Sequence, residues 1–212
     1  LARHWDGRIV GCPGTIDNDL LGTDRTIGFS TAVATAVDAI DKLRDTATTH
    51  GRMFLVEVMG RHSGYLALES ALAGAAEGIC VPETPTDVHQ IVTHLCDLQR
   101  RDKSSIVMVV AEGDEAGRVD VLKTKLEQAG SPFEMRTVVL GHVQRGGSPT
   151  PDDRILATRL GDFAVRALIA GESLVMAGEI GRKLTLTPFE QSVAGHPPLP
   201  QELLDLIETM SI

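Results

Sequence analysis

The sequence predicts an α/β protein built on a doubly wound parallel sheet. Short apolar runs rich in β-branched residues recur at residues 53–58 (MFLVEV), 105–111 (SIVMVVA) and 135–140 (MRTVVL), the length and composition of buried strands. Segments with a helical apolar period separate them. The gaps are long enough for crossover helices, which parallel pairing requires.

Taken in order, Arg8-Ile9-Val10-Gly11 reads as a strand running out into a loop. Residues 27–44 place Ile27, Val33, Ala36, Val37, Ile40 and Leu43 at helical spacing, with Lys42 and Arg44 in the last turn, where the helix dipole favours cations. After the strand at 53–58 comes an alanine- and leucine-rich helix over 65–76 and a short strand over 78–82. Residues 87–101 are helical, with Thr86 or Asp87 available as the cap. Residues 105–111 are the clearest buried strand, followed by helix at 119–128 and strand at 135–140. A long helix over 152–169 is started by Pro149 and Pro151, residues 184–186 form a strand, and 200–210 a closing helix.

Composition bounds the function. The chain has 212 residues, 42% hydrophobic and 23% charged, which describes an ordinary soluble globular protein. A net charge of −9 argues against a general grip on nucleic acid, although local arginines could hold a phosphorylated ligand. No apolar run is long enough to span a bilayer and no signal peptide is visible. Cys12, Cys80 and Cys96 lack metal-ligand spacing and read as reduced thiols of a cytoplasmic protein. The first residue is Leu1, and a strand so near the terminus carries the expectation of a chain cut into an existing fold.

Unusual polar segments follow the strands. Gly14-Thr-Ile-Asp-Asn-Asp19 and Asp24 come after the first, Met59-Gly60-Arg61 after 53–58, Glu112 after 105–111, and residues 141–147 (GHVQRGG) after 135–140. Ligands of open parallel sheets bind outside these carboxyl ends. A carboxylate such as Asp17 can take a proton from a substrate hydroxyl. Asp19 could help to hold a magnesium ion through water. Arg61, Arg136 and Arg145 offer planar forks for phosphate oxygens, and Gly146-Gly147 lets backbone N–H groups approach an anion. Each segment alone has a plainer reading: Asp17 as an Asx-turn residue, Glu112 as a helix-start acid, Lys42 and Arg44 as a solvated helix end.

Together the segments resemble the 6-phosphofructokinase family. Residues 13–19 (PGTIDND), 22–29 (GTDRTIGF), 56–61 (VEVMGR), 139–149 (VLGHVQRGGSP) and 153–157 (DRILA) follow the family pattern in order, and the resemblance runs from about Ile9 to about Leu168. It implies two Rossmann-like parallel-sheet lobes with the active site in the cleft between them. Residues 1–28 and 145–191 would be an incomplete larger, ATP-side lobe; residues 29–144 and 192–212 would be the smaller sugar-phosphate lobe. The implied reaction moves the γ-phosphoryl of ATP, with magnesium, to the 1-hydroxyl of fructose 6-phosphate. Asp17 would be the base, flanked by Thr15 and Asp19, and Arg61 would offset developing charge. His142 and Arg145 would bind the 6-phosphate, Met59 and Glu112 the sugar, with Ile16, Gly60, Val143 and Gln144 alongside. Arg52 and Arg136 match arginines that reach this phosphate from a neighbouring subunit, which implies a homo-oligomer, dimer or tetramer, with shared sites.

Gly14 favours ATP, because pyrophosphate-using members place a lysine there. Arg44, Glu77, Arg101 and Lys103 match an effector site of the bacterial allosteric members. The family's glycine-rich ATP loops do not occur, so the chain is expected to be the C-terminal portion of a longer enzyme, inactive alone. A pyrophosphate-dependent enzyme and a non-catalytic sugar-phosphate-binding subunit are the alternatives.

Overall fold

The computed structural model describes residues 4, 6–50, 52–103 and 105–210. The chain divides into two units, Leu1–Thr31 with Ser148–Pro197, and Ala32–Gly147 with Pro198–Ile212.

The second of these units is the doubly wound part. Its strands β2 (Met53–Val58), β3 (Gly78–Cys80), β4 (Ile106–Ala111) and β5 (Met135–Val139) lie in the order β3-β4-β2-β5, all parallel. Alternation along β2 and β4 sends apolar residues to both faces, as expected of a sheet covered on both sides. Phe54, Val56, Val58, Val107 and Val109 pack with Ala36 and Ile40 of α1 (Phe29–His50), Ala67, Leu68 and Ala71 of α2 (Tyr65–Ala73), and Ile207 near the C-terminus. Met53, Leu55, Ile106, Met108 and Val110 pack with Leu95 and Leu98 of α3 (Val88–Arg100) and with Val119, Leu122 and Leu126 of α4 (Val119–Gln128). Asp87 caps α3, its carboxylate accepting from the His89 and Gln90 N–H groups.

This order creates a switch point. After β2 the chain crosses past β4 to reach β3, whereas after β4 it crosses back past β2 to reach β5. The neighbours β2 and β4 therefore release their chains in opposite directions, and a crevice opens at their carboxyl ends.

The other unit carries β1 (Val10–Gly11), α5 (Pro151–Ala170), β6 (Val175–Ile180), β7 (Lys183–Pro188) and α6 (Phe189–Ser192), with sheet order β1-β6-β7. β1 runs parallel to β6, but β6 and β7 form an antiparallel hairpin, so this sheet is mixed where the sequence led us to expect a parallel one. Gly181 and Arg182, at φ +54° and +67°, make the two-residue turn, and paired positive φ values suit the twist of a tight hairpin. β6 itself is not predicted from the sequence. Gly178 interrupts its apolar run because the Gly22 carbonyl packs against its Cα, leaving no room for a Cβ.

Thr150 and Pro151 start α5, with the Thr150 hydroxyl accepting from Asp153 N–H at 3.3 Å. Asp153, 4% exposed, in turn accepts from Gly28 N–H at 2.9 Å, Thr31 N–H at 2.8 Å and the Thr31 hydroxyl, satisfying backbone donors at the start of α1. Asp153→Ala strands these donors and is expected to cost about 2–4 kcal/mol, seen as a lower urea midpoint at unchanged slope. The closing helix α7 spans Gln201–Met210. Among the described residues no helix is long and apolar enough to cross a membrane.

Candidate functional site

The acidic turn after β1 is built around Asn18, whose φ of +51° is a conformation that asparagine tolerates better than most residues. Its amide locks the turn onto the next segment: Nδ2 donates to the Asp24 carbonyl at 3.0 Å, and Oδ1 accepts from Thr26 N–H at 2.8 Å. The Thr26 hydroxyl donates to the Thr15 carbonyl at 2.6 Å, and the Thr15 hydroxyl accepts from Asp17 N–H at 3.1 Å. Asp17 is thereby held buried at 4% exposure, with Asp19 two residues on and only half buried. Asp24 has a different job. Its carboxylate accepts from Gly181 N–H at 2.6 Å and its own N–H donates to the Glu179 carbonyl, so it braces the β6–β7 hairpin. Nothing lies within 4 Å of where a Gly14 Cβ would stand, so that position faces open space.

In the doubly wound unit, the loop after β2 reaches Arg61 through two positive-φ residues, Gly60 at +137° and Arg61 itself at +53°. Glu112, at the end of β4, accepts from Arg61 N–H at 3.0 Å, while its own N–H donates to the Val58 carbonyl. Gly113 then passes so close that a Cβ there would overlap the Arg61 carbonyl oxygen and stand 2.9 Å from its carbon. Residues Gly141–Arg145 form a 3-10 turn directly after β5. Side chains three apart eclipse in such a turn, which sets His142 and Arg145 on one exposed face. Gln144 turns inward instead: it is 1% exposed, and its Oε1 accepts from Met59 N–H at 2.9 Å. Val143 is 63% exposed.

Met59, Gly60, Arg61, Glu112, His142, Val143, Gln144 and Arg145 thus gather at the carboxyl edge of one sheet. Arg52 and Arg136 do not join them. Arg52 precedes β2 and Arg136 pairs with Phe54 near the start of β5, so both sit at the amino edge, about 20 Å away at strand rise. They share the Glu134 carboxylate, Arg52 Nε at 3.6 Å.

Of the expected effector residues, Arg44 and Lys103 meet the buried Glu77 carboxylate at 3.0 and 3.3 Å, and Val107 N–H donates to its other oxygen at 2.8 Å. Arg101 is exposed at the C-cap of α3. Two buried acids escaped the sequence reading. Glu57, facing α4, accepts from Arg118 Nη2 at 2.6 Å and Val119 N–H at 2.9 Å, and raises the Arg118 pKa. Asp114 accepts from the Thr86 hydroxyl at 2.8 Å, and burial raises its pKa. Burial first, and then the Asp114 charge, push Cys80 up to about 12, which keeps it a thiol at neutral pH. The signal for Glu57 was present: a lone acid inside a strand otherwise made of buried apolar residues.

Among the described residues no three His, Cys, Asp or Glu side chains converge as a metal site. Among these residues Asp19 offers a single carboxylate toward a magnesium ion.

Residues 1–168 match the Phosphofructokinase family. The chain is 50% identical over 208 residues to ATP-dependent 6-phosphofructokinase 1 of Thermus thermophilus, covering 96% of this chain and 63% of that protein. The chain therefore spans a little under two thirds of the length of that curated relative. The structure of phosphofructokinase from Saccharomyces cerevisiae superposes with a TM-score of 0.81 at 33% identity, over 96% of this chain and 28% of that one. A pyrophosphate-dependent phosphofructokinase from Marinobacter aquaeolei shares the fold, with a TM-score of 0.76 at 22% identity, over 94% of this chain and 60% of that one.

Proposed function

We propose a function from one premise: the chain belongs to the phosphofructokinase family. The reaction is transfer of the γ-phosphoryl group of ATP to the 1-hydroxyl of fructose 6-phosphate, giving fructose 1,6-bisphosphate in glycolysis. The observation that carries this reading is the half-identity, over 208 residues, to a relative named for ATP-dependent 6-phosphofructokinase activity. The glycine at position 14 supports it, because a lysine there would occupy room that a nucleotide's α-phosphate needs.

In this reading Asp17 accepts the proton of the attacking hydroxyl, and its braced turn fixes the carboxylate before substrate arrives. Thr15 flanks the transferring group, with Ile16 beside it. Arg61 offsets charge developing on the phosphoryl oxygens, the kind of preorganised electrostatic help on which phosphoryl transfer depends. His142 and Arg145 hold the sugar phosphate, and Met59 and Glu112 contact the sugar. Magnesium would arrive with the nucleotide's phosphates, and Asp19 would meet it at most through water. Arg52 and Arg136, at the far edge of the sheet, fit a role in a neighbouring copy's site, so the working form is a homo-oligomer. Arg44, Glu77 and Lys103 would be the core of an effector site.

A coupled assay of the complete gene product, with ATP and then pyrophosphate as donor, tests the reading. Bisphosphate formation with ATP is expected. Turnover with pyrophosphate alone would replace the donor. Fructose 6-phosphate binding without turnover on either donor would leave a non-catalytic sugar-phosphate-binding subunit.

A further inference from the structure

The loop after β2 is held from three directions. Gln144, after β5, accepts from Met59 N–H at 2.9 Å; Glu112, after β4, from Arg61 N–H at 3.0 Å; and Glu83, after β3, from Gly64 N–H at 2.8 Å. Each of the other strands in this sheet thus lends one side-chain oxygen to a single loop. A loop that only joined a strand to a helix could leave those N–H groups to water. This one must also keep Arg61 in the left-handed region, which a non-glycine residue holds only where its surroundings enforce it.

Glu83 is the most telling of the three. Its second carboxylate oxygen, Oε2, is buried with no hydrogen-bond partner among the described residues. A buried oxygen left in that state lowers stability, so packing alone would favour an apolar residue here. Gly64 is shaped to accept the carboxylate, since a Cβ at that position would stand 2.5 Å from Oε2 and 2.7 Å from the Val81 Cβ. The bond falls on the N–H of the α2 N-cap residue, and it comes from a residue after β3, not from the helix's own first turn as in a capping box.

We propose that Glu83 is a positioning residue for phosphoryl transfer, fixing through Gly64 the strained turn that presents Arg61. The proposal rests on the role of Arg61 given above. In the complete gene product, Glu83→Ala is expected to lower kcat about tenfold or more with little change in KM for fructose 6-phosphate. In an Arg61→Ala background the same substitution should cost nothing further, because Glu83 acts through that arginine. Glu83→Gln keeps the acceptor oxygen and should recover kcat to within about threefold of the parent. If Glu83→Ala is not recovered folded, Glu83→Asp, which withdraws the acceptor by one methylene, enters the same cycle. An equal loss of kcat with and without Arg61, or an unchanged kcat beside a lowered urea midpoint, would overturn the proposal alone. A parent protein inactive with both donors would remove it together with the reading it rests on.

Discussion

Asp17→Ser in the complete gene product is expected to lower kcat by about 10²–10⁴-fold, the contribution of a positioned general base. Binding of fructose 6-phosphate should stay within about threefold of the parent, so the loss appears in kcat and kcat/KM alike. Bonds that brace the turn run through the Asn18 amide and the Thr26 hydroxyl, and the Thr15 hydroxyl accepts the backbone N–H of residue 17. Exchanging the carboxylate for a hydroxyl leaves those bonds in place. Steady-state kinetics with ATP, alongside calorimetric titration with fructose 6-phosphate, separates the two quantities. Turnover close to that of the parent would remove Asp17 as the base.

Gly113→Ala is expected to act differently, costing both stability and rate. The new methyl overlaps the Arg61 carbonyl oxygen, which is backbone and cannot rotate aside, so the loops after β2 and β4 must separate. That separation stretches the Glu112 bond to Arg61 N–H. Overpacking of this kind typically costs about 1–3 kcal/mol. A displacement of about 1 Å at a catalytic group can lower the rate about 10²-fold. Gly161→Ala is the matched control. It lies inside α5 with nothing within 4 Å of its Cβ position, and should stabilise by about 0.5–1 kcal/mol without touching kcat. Denaturant unfolding and kinetics on the two alanine variants decide the matter. A Gly113→Ala protein with parental kcat would show that the Arg61 loop is not held to a narrow geometry.

Much of the doubly wound unit was legible because its signals are local. A buried strand announces itself by an unbroken apolar run and a helix by its period, so β2 at 53–58 and α4 at 119–128 match their expected bounds. Other ends moved by a few residues. α1 continues to His50, beyond the expected 44, and α2 stops at Ala73, short of 76. β6 was missed because its run is broken by a glycine that only the neighbouring loop explains. Asp24 looked like a third member of the acidic cluster, and it is the hairpin at Gly181, far away in the chain, that claims its carboxylate.

What the sequence determined by itself was the alternation of strands and helices and the placing of polar segments at strand ends. Both follow from side-chain pattern along a short stretch, which each segment carries wherever it folds. Tertiary structure alone decided which polar residues share an edge and which turn inward. It brought Arg52 and Arg136 to one Glu134 carboxylate, buried Gln144 against Met59, and recruited Glu83 to the Arg61 loop. Strand order and register set those relations, and both depend on contacts between residues distant in the chain, which no local period encodes.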